Sequence, residues 1–373
     1  MLPDFRLETF FSRWEFNARY HLCASDMESI PVQELVDLAD DEDRTAWNEL
    51  RLGYTETFGA RGLRAAIADT YEHIDETNLL AFAGAEEGLF VAMQVLLTAG
   101  DHAIVITPNY QAAETVPVSI CEVTGVALDA HNDWNLDLDK VRDALRPNTN
   151  LISINFPHNP TGKVISRGTY DDLVSLARQR GIYIFSDEVY RLLERNDDIR
   201  LPQAADVYER ALSLNVMSKA YGLPGLRIGW IATQDRDVLG RMERAKHYLS
   251  ICNSAPSEML AQIALKSRDK ILDRNRRLIA ENLGLLDKFF SEYPDLFEWS
   301  VPDGGCIGYP RYAGADGVES FCRSLVEQAG VLLLPASVYS SELTPTPKDR
   351  FRIGYGRSNT AEGLAVLRQF FDT

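Results

Sequence analysis

Residues 151–190 read LISINFPHNPTGKVISRGTYDDLVSLARQRGIYIFSDEVY, and the two apolar runs inside that stretch decide the fold. Leu151-Ile152-Ser153-Ile154-Asn155-Phe156 and Ile182-Tyr183-Ile184-Phe185-Ser186 lack the apolar–polar alternation of a half-exposed strand. Runs of this kind are covered on both faces. Between them, Tyr170-Asp171-Asp172-Leu173-Val174-Ser175-Leu176-Ala177-Arg178 has the spacing of an amphipathic helix. Strand, helix, strand in that order implies a parallel crossover. Working outward, similar runs occur at Leu79-Leu80-Ala81-Phe82, Ala103-Ile104-Val105-Ile106-Thr107, Ala211-Leu212-Ser213-Leu214-Asn215 and Ile228-Gly229-Trp230-Ile231-Ala232. The chain is therefore read as α/β, with a largely parallel sheet between two helical layers.

The tail reads differently. Residues 274–293 form one long amphipathic pattern, followed by a glycine turn at Gly304-Gly305, a helix near 317–329, and short strands around 331–334 and 350–353. That order suggests an α+β unit. The α/β alternation starts only after Tyr54, so the first ~40 residues are expected to pack with this tail.

The chain has 373 residues, 45% of them hydrophobic, which is enough for a large core and about two domains. Its net charge of −17 repels phosphate backbones, so no nucleic acid partner is expected. An anionic ligand would need a local positive pocket. Five scattered cysteines without a C-x-x-C pair read as free thiols of a reducing compartment, which places the protein in the cytoplasm. The opening MLPDFRLETFFSRWEF lacks a secretory pattern, no run of about 18 apolar residues would cross a membrane, and the six histidines show no metal-ligand spacing. Phe11, Phe16 and Tyr20 could line an apolar pocket, with core packing the first expectation.

Polar clusters stand where the strands end, the edge at which ligands collect in open α/β sheets. Ala83-Gly84-Ala85-Glu86-Glu87-Gly88 is a strand-to-helix turn whose first amides can meet a phosphate. Asn155-Phe156-Pro157-His158-Asn159-Pro160-Thr161-Gly162 fixes Asn159 between two prolines. Asp187 closes a very apolar strand, where a carboxylate requires a partner such as a protonated ring nitrogen, and Tyr190 follows three residues on. Ser218-Lys219 and Arg227 flank Gly222-Leu223-Pro224-Gly225. A desolvated lysine there could bond to an aldehyde while the arginine holds an anion. Arg352, inside the apolar Phe351-Arg352-Ile353, suits a bidentate carboxylate contact or an internal salt bridge.

In this order and spacing the clusters resemble the class I/II aminotransferases, the fold-type-I pyridoxal-phosphate enzymes. The likeness includes Tyr54 with Gly62-Leu63-Arg64, Pro108-Asn109-Tyr110, Asn159-Pro160-Thr161-Gly162, Asp187-Glu188-Val189-Tyr190, Ser218-Lys219 with Gly222-Leu223-Pro224-Gly225-Leu226-Arg227, and Pro302-Asp303-Gly304-Gly305. It implies a mostly parallel seven-stranded sheet in a three-layer αβα large domain over 45–270, with a smaller α+β domain built from 1–44 and 271–373. It implies that Lys219 holds pyridoxal 5'-phosphate as an imine and moves the Cα proton, while Asp187 keeps the ring nitrogen protonated. Tyr190 and Asn159 would bond the ring oxygen, and Tyr110 would stack on the ring. Ser218, Arg227 and the Gly84-Ala85-Glu86 amides would hold the phosphate. Tyr54 would reach the neighbouring subunit's phosphate in a homodimer with shared sites. Arg352, with Asn159, would bind the substrate carboxylate. Amino acids and 2-oxo acids would be the substrates, by ping-pong transfer.

This chain departs from the family pattern in several places. Val216 and Ala83 stand where phosphate ligands are common, and Glu86 replaces a neutral residue, so its side chain is expected to point away from the phosphate. His158 replaces a common asparagine. Residues 22–29 lack the usual glycine loop over the substrate, a place Ser25 could take. A lyase or cyclase would use the same lysine, aspartate and arginine, so the motifs leave that alternative open. A non-catalytic cofactor-binding regulatory module is the remote third reading.

Overall fold

The computed structural model describes residues 2–372. Seven strands form the central sheet: β1 Leu79–Phe82, β2 His102–Thr107, β3 Glu122–Ala127, β4 Thr149–Asn155, β5 Tyr183–Asp187, β6 Ala211–Val216 and β7 Gly229–Ala232. Their spatial order is β1-β7-β6-β5-β4-β2-β3. Six strands run one way, and β7 lies antiparallel between β1 and β6. The sheet is therefore mixed, with parallel pairing from β6 to β3.

The non-alternating runs have a simple cause: successive residues feed two cores. In β4 and β5, Leu151, Tyr183 and Phe185 join the core that includes Leu89 and Ala92 of the helix Ala85–Leu96 and Met242 of the helix Arg236–Lys246. Their neighbours Ile152, Ile154 and Ile184 join a second core with Tyr170, Leu173 and Ala177 of the helix Arg167–Arg180. Ile184 and Phe185 are both fully buried, a contribution of roughly 1.5–3 kcal/mol each. Strand β3 escaped the sequence reading. It is a half-exposed edge strand containing Thr124 and Gly125, and the 343–344 segment packs over it.

Beyond the sheet, the long helix spans Arg268–Glu292. Phe351–Gly354 pairs with Ile307–Gly308 and with Leu334–Pro335. Near the N-terminus, Tyr20–His21 pairs in parallel with Val331–Leu332. That pairing, with Gly354 N donating to Leu22 O at 2.8 Å and Glu28 N to Gly356 O at 2.7 Å, threads residues 22–28 past the carboxyl edge of the sheet. Among the described residues no helix is long and apolar enough to cross a membrane.

Candidate active site

The site begins where β6 ends. After Val216 the chain closes a tight turn, with Leu223 N donating to Met217 O at 2.9 Å and Gly222 N to Lys219 O at 3.1 Å. Gly222 has φ 67°, and a Cβ on it would come within 2.9 Å of Glu28 O. Glycine therefore lets residues 25–28 lie directly on the lysine turn. Lys219 Nζ donates to Ser25 Oγ at 2.8 Å. Burial lowers the pKa of Lys219, opposed by the charge of Asp26.

Two adjacent strand ends supply the next groups. Asp187 terminates β5, is 8% exposed, and accepts from Val189 N at 3.2 Å. Burial pushes its pKa up to about 6, and the backbone bond and Lys219 pull it down by less. Asn155 joins the ends of β4 and β5: its Nδ2 donates to Asp187 O at 2.9 Å, and its Oδ1 accepts from Asn159 N at 2.8 Å. Tyr190 is buried and donates from its hydroxyl to Ser25 O at 3.0 Å. His158 locks the Asn159 loop to the Tyr110 loop, with Nε2 bonding Pro108 O at 2.7 Å and Nδ1 bonding Thr161 Oγ1 at 2.8 Å. Burial lowers its pKa to about 4, so it is a neutral brace.

Arg352 is fully buried in its strand. Its Nε and Nη2 donate to Cys23 O at 3.1 and 2.8 Å, and its Nη1 donates to Tyr339 Oη at 2.6 Å. Tyr339 in turn donates to Asn159 Oδ1 at 2.9 Å, which leaves the Asn159 amide nitrogen for a ligand. None of the ion pairs among the described residues involves Arg352, so the internal salt bridge is not its arrangement. A buried guanidinium without a carboxylate calls for an anion from outside the chain.

At the other end of the cavity, Gly84 (φ 97°, ψ 167°) caps the helix Ala85–Leu96. A Cβ on Gly84 would collide with the Arg227 guanidinium, so helix amides and guanidinium share one concave corner. Ser218 and Val216 line the same cavity. One expectation fails here. Glu86 does not point away: it lines the cavity and hydrogen-bonds with Tyr110, whereas Glu87 turns back to accept from Ala83 N at 2.7 Å. Glu86 reaches water through the cavity, yet desolvation by its surroundings lifts its pKa to about 7. The Tyr110 hydroxyl that bonds it supplies the reason for its direction.

The cavity holds about 320 Å³. It brings together Lys219, Asp187, Tyr190, Asn159, Tyr110, Ala85, Glu86, Ser218, Arg227, Arg352 and Ser25. Gly84 lies behind its wall. Tyr54 is 93% exposed and does not line it. Of the N-terminal aromatics, Tyr20 packs partly buried against the main core, Phe11 packs against a smaller core cluster while lining the cavity, and Phe16, 91% exposed, departs from the core expectation. Sequence reasoning missed Glu8, Glu15, His21, Asp26, Arg357 and Tyr339. The 8-11-15 spacing on one helix face was the available signal for the first two; the others carried none.

The chain's solved counterparts share this architecture. A PLP-dependent aminotransferase from Streptococcus suis superimposes with a TM-score of 0.92 at 30% identity, covering 100% of this chain and 98% of that one. The arginine–pyruvate transaminase of Pseudomonas aeruginosa is 32% identical over 81% of this chain and 77% of its own. The capreomycidine synthase of Streptomyces vinaceus is 27% identical over 85% and 80%. Residues 21–368 match the family model for aminotransferase class I and II, and the chain belongs to that family. It is accordingly a pyridoxal-phosphate-dependent transaminase acting on amino acids and 2-oxo acids. The residues present fit that cofactor: a buried carboxylate, a lysine of lowered pKa, and a glycine corner facing Arg227. Among the described residues no group of three or more His, Cys, Asp or Glu side chains is placed to hold a metal ion.

Proposed function

We propose that the Lys219 cavity is where this chain binds pyridoxal 5'-phosphate and exchanges amino groups by a ping-pong reaction. The observation that carries the reading is the convergence of Lys219, Asp187 and Arg352 on one cavity, Asp187 and Arg352 buried, Lys219 partly so, and none neutralised by an ion pair among the described residues. When bound, the cofactor supplies an electron sink for the substrate Cα. Asp187 would hold the ring nitrogen's proton, and the low-dielectric wall around it would strengthen that pairing. Arg227, Ser218 and the Gly84-Ala85-Glu86 amides would hold the phosphate, Tyr190 and the Asn159 amide would bond the ring oxygen, and Tyr110 would lie against the ring. Arg352 fixes the substrate carboxylate with its planar fork. Lys219 Nζ then removes the Cα proton; its lowered pKa keeps a larger fraction in the basic form. Ser25 Oγ, already bonded to Lys219, steadies the amine and closes the substrate side.

We propose a large domain over 45–270 and a small one built from 1–44 and 271–373. Homodimerisation is supported by exposed Leu52, Tyr54, Tyr248, Leu249 and Ile251. The two segments adjoin, since Thr55 Oγ1 donates to Asn253 O at 3.0 Å. Tyr54 would serve the partner's phosphate. The free thiols and acidic charge support a cytoplasmic location.

A half-reaction tests the function. Holoenzyme mixed with one amino acid and no acceptor should release one 2-oxo acid per site and retain the nitrogen. Continuous ammonia release would instead establish elimination, the second reading, which the likeness to a synthase keeps in view.

A further inference from the structure

The charges lining the cavity do not balance once the transamination machinery is assigned. Five carboxylates line it (Glu8, Glu15, Asp26, Glu86 and Asp187) against four cations (Lys219, Arg227, Arg352 and Arg357). Asp187, Lys219, Arg227 and Arg352 serve the cofactor and the substrate carboxylate. Arg357 is already engaged, with Nη2 2.8 Å from Asp26 Oδ2. Glu86 is hydrogen-bonded at the Tyr110 end. Glu8 and Glu15 remain, and no ion pair among the described residues involves either.

Their placement is regular. Glu8, Phe11 and Glu15 follow one face of the helix Arg6–Trp14 and its C-cap, and all three line the cavity. Glu15 interacts unfavourably with Glu8 and Asp26, and burial together with that repulsion outweighs the pull of Arg357 and Lys219, so its pKa is raised. A negative surplus therefore persists at the mouth beside two cations. The ligand is indicated independently by Arg352, fully buried, lining the same cavity and lacking a carboxylate. A substrate anchored there by its carboxylate must project its side chain within the cavity.

We propose that Glu8 and Glu15 are specificity-determining residues that select an amino donor with a cationic side chain, a guanidinium or a terminal amine. The apolar stem would lie along Leu7 and Phe11 and the charged head would reach the two carboxylates. This rests on the transamination assigned to the same cavity.

Half-reactions of the holoenzyme with isosteric donors test it. Arginine is compared with citrulline, lysine with norleucine, and glutamate and aspartate serve as anionic controls. The expected result is a kcat/KM for each cationic donor at least about tenfold above its neutral isostere, equivalent to about 1.4 kcal/mol. Glu15→Gln and Glu8→Gln should each lower the arginine-to-citrulline ratio, mainly through the KM for arginine. Because the readout is a ratio within one preparation, a partly folded variant still reports. Equal or higher kcat/KM for the neutral isosteres, or an unchanged ratio in both variants, overturns the proposal. If neutral or anionic donors react and cationic ones do not, this inference fails alone. If no amino acid converts the holoenzyme, the transamination reading fails with it.

Discussion

Replacing Gly84 by alanine separates two effects that the structure places at one atom. Gly84 holds φ 97° and ψ 167°, a region open to glycine alone, so the added methyl strains the backbone by about 1–3 kcal/mol. The same methyl would collide with an Arg227 terminal nitrogen and sit 3.1 Å from its Cζ. Arg227 is exposed and its far end can swing aside, but only by leaving the corner it shares with the helix amides. Losing one charge-assisted contact to a phosphate costs about 1.5–3 kcal/mol, or roughly 10- to 150-fold in affinity. Denaturant unfolding of the cofactor-free protein reads the strain, and titration with pyridoxal 5'-phosphate reads the displaced arginine. Arg227→Ala should weaken cofactor binding to a similar degree without the strain, and the double variant should be non-additive in binding because the same contact is lost once. A Gly84→Ala variant that binds cofactor as tightly as wild type would refute the placement of the phosphate.

Other perturbations have equally definite outcomes. Glu86→Gln should tighten cofactor binding by about fivefold, roughly 1 kcal/mol, because a carboxylate of pKa about 7 opposes the phosphate; wild-type affinity relative to the variant should fall as pH rises through 7. Asp187→Asn should abolish transamination yet stabilise the cofactor-free fold. The folded pKa of about 6 exceeds the unfolded value near 4, so wild-type stability is fully present below pH 4 and is lost as pH rises to 6. Unfolding curves at pH 4 and 7.5 should therefore show the variant's advantage, on the order of 2 kcal/mol, only at the higher pH. Arg352→Ala should lower kcat/KM about 10- to 150-fold, chiefly through KM, and Arg352→Lys should recover part of it, since a lysine keeps the charge but not the planar fork.

The sheet was legible because its buried strands carry their own signature. Ile184 and Phe185 feed opposite cores, so β5 could be written only as a continuous apolar run. Strand β3, at an edge and half exposed, had no such constraint and carries no continuous apolar run. The reversed direction of β7 left no mark either, since a strand covered on both faces reads alike in both directions. At the site, residues fixed by short local motifs were legible: Asp187 ends a strand, Asn159 and Lys219 lie in the turns that follow strands, and Arg227 leads from the turn Pro224–Leu226 into β7. Contacts made across the chain were not. Tyr339 meets Asn159 from 180 residues away, and Ser25 meets Lys219 from 194. Glu86 was misjudged because its direction is set by the Tyr110 hydroxyl, a partner that local sequence does not reveal.

The most direct test of the account is chemical. Holoenzyme treated with borohydride, digested and analysed by mass spectrometry should carry the reduced pyridoxyl group on the peptide containing Lys219. Label on another lysine, or an unlabelled Lys219 in protein that retains activity, would contradict the account.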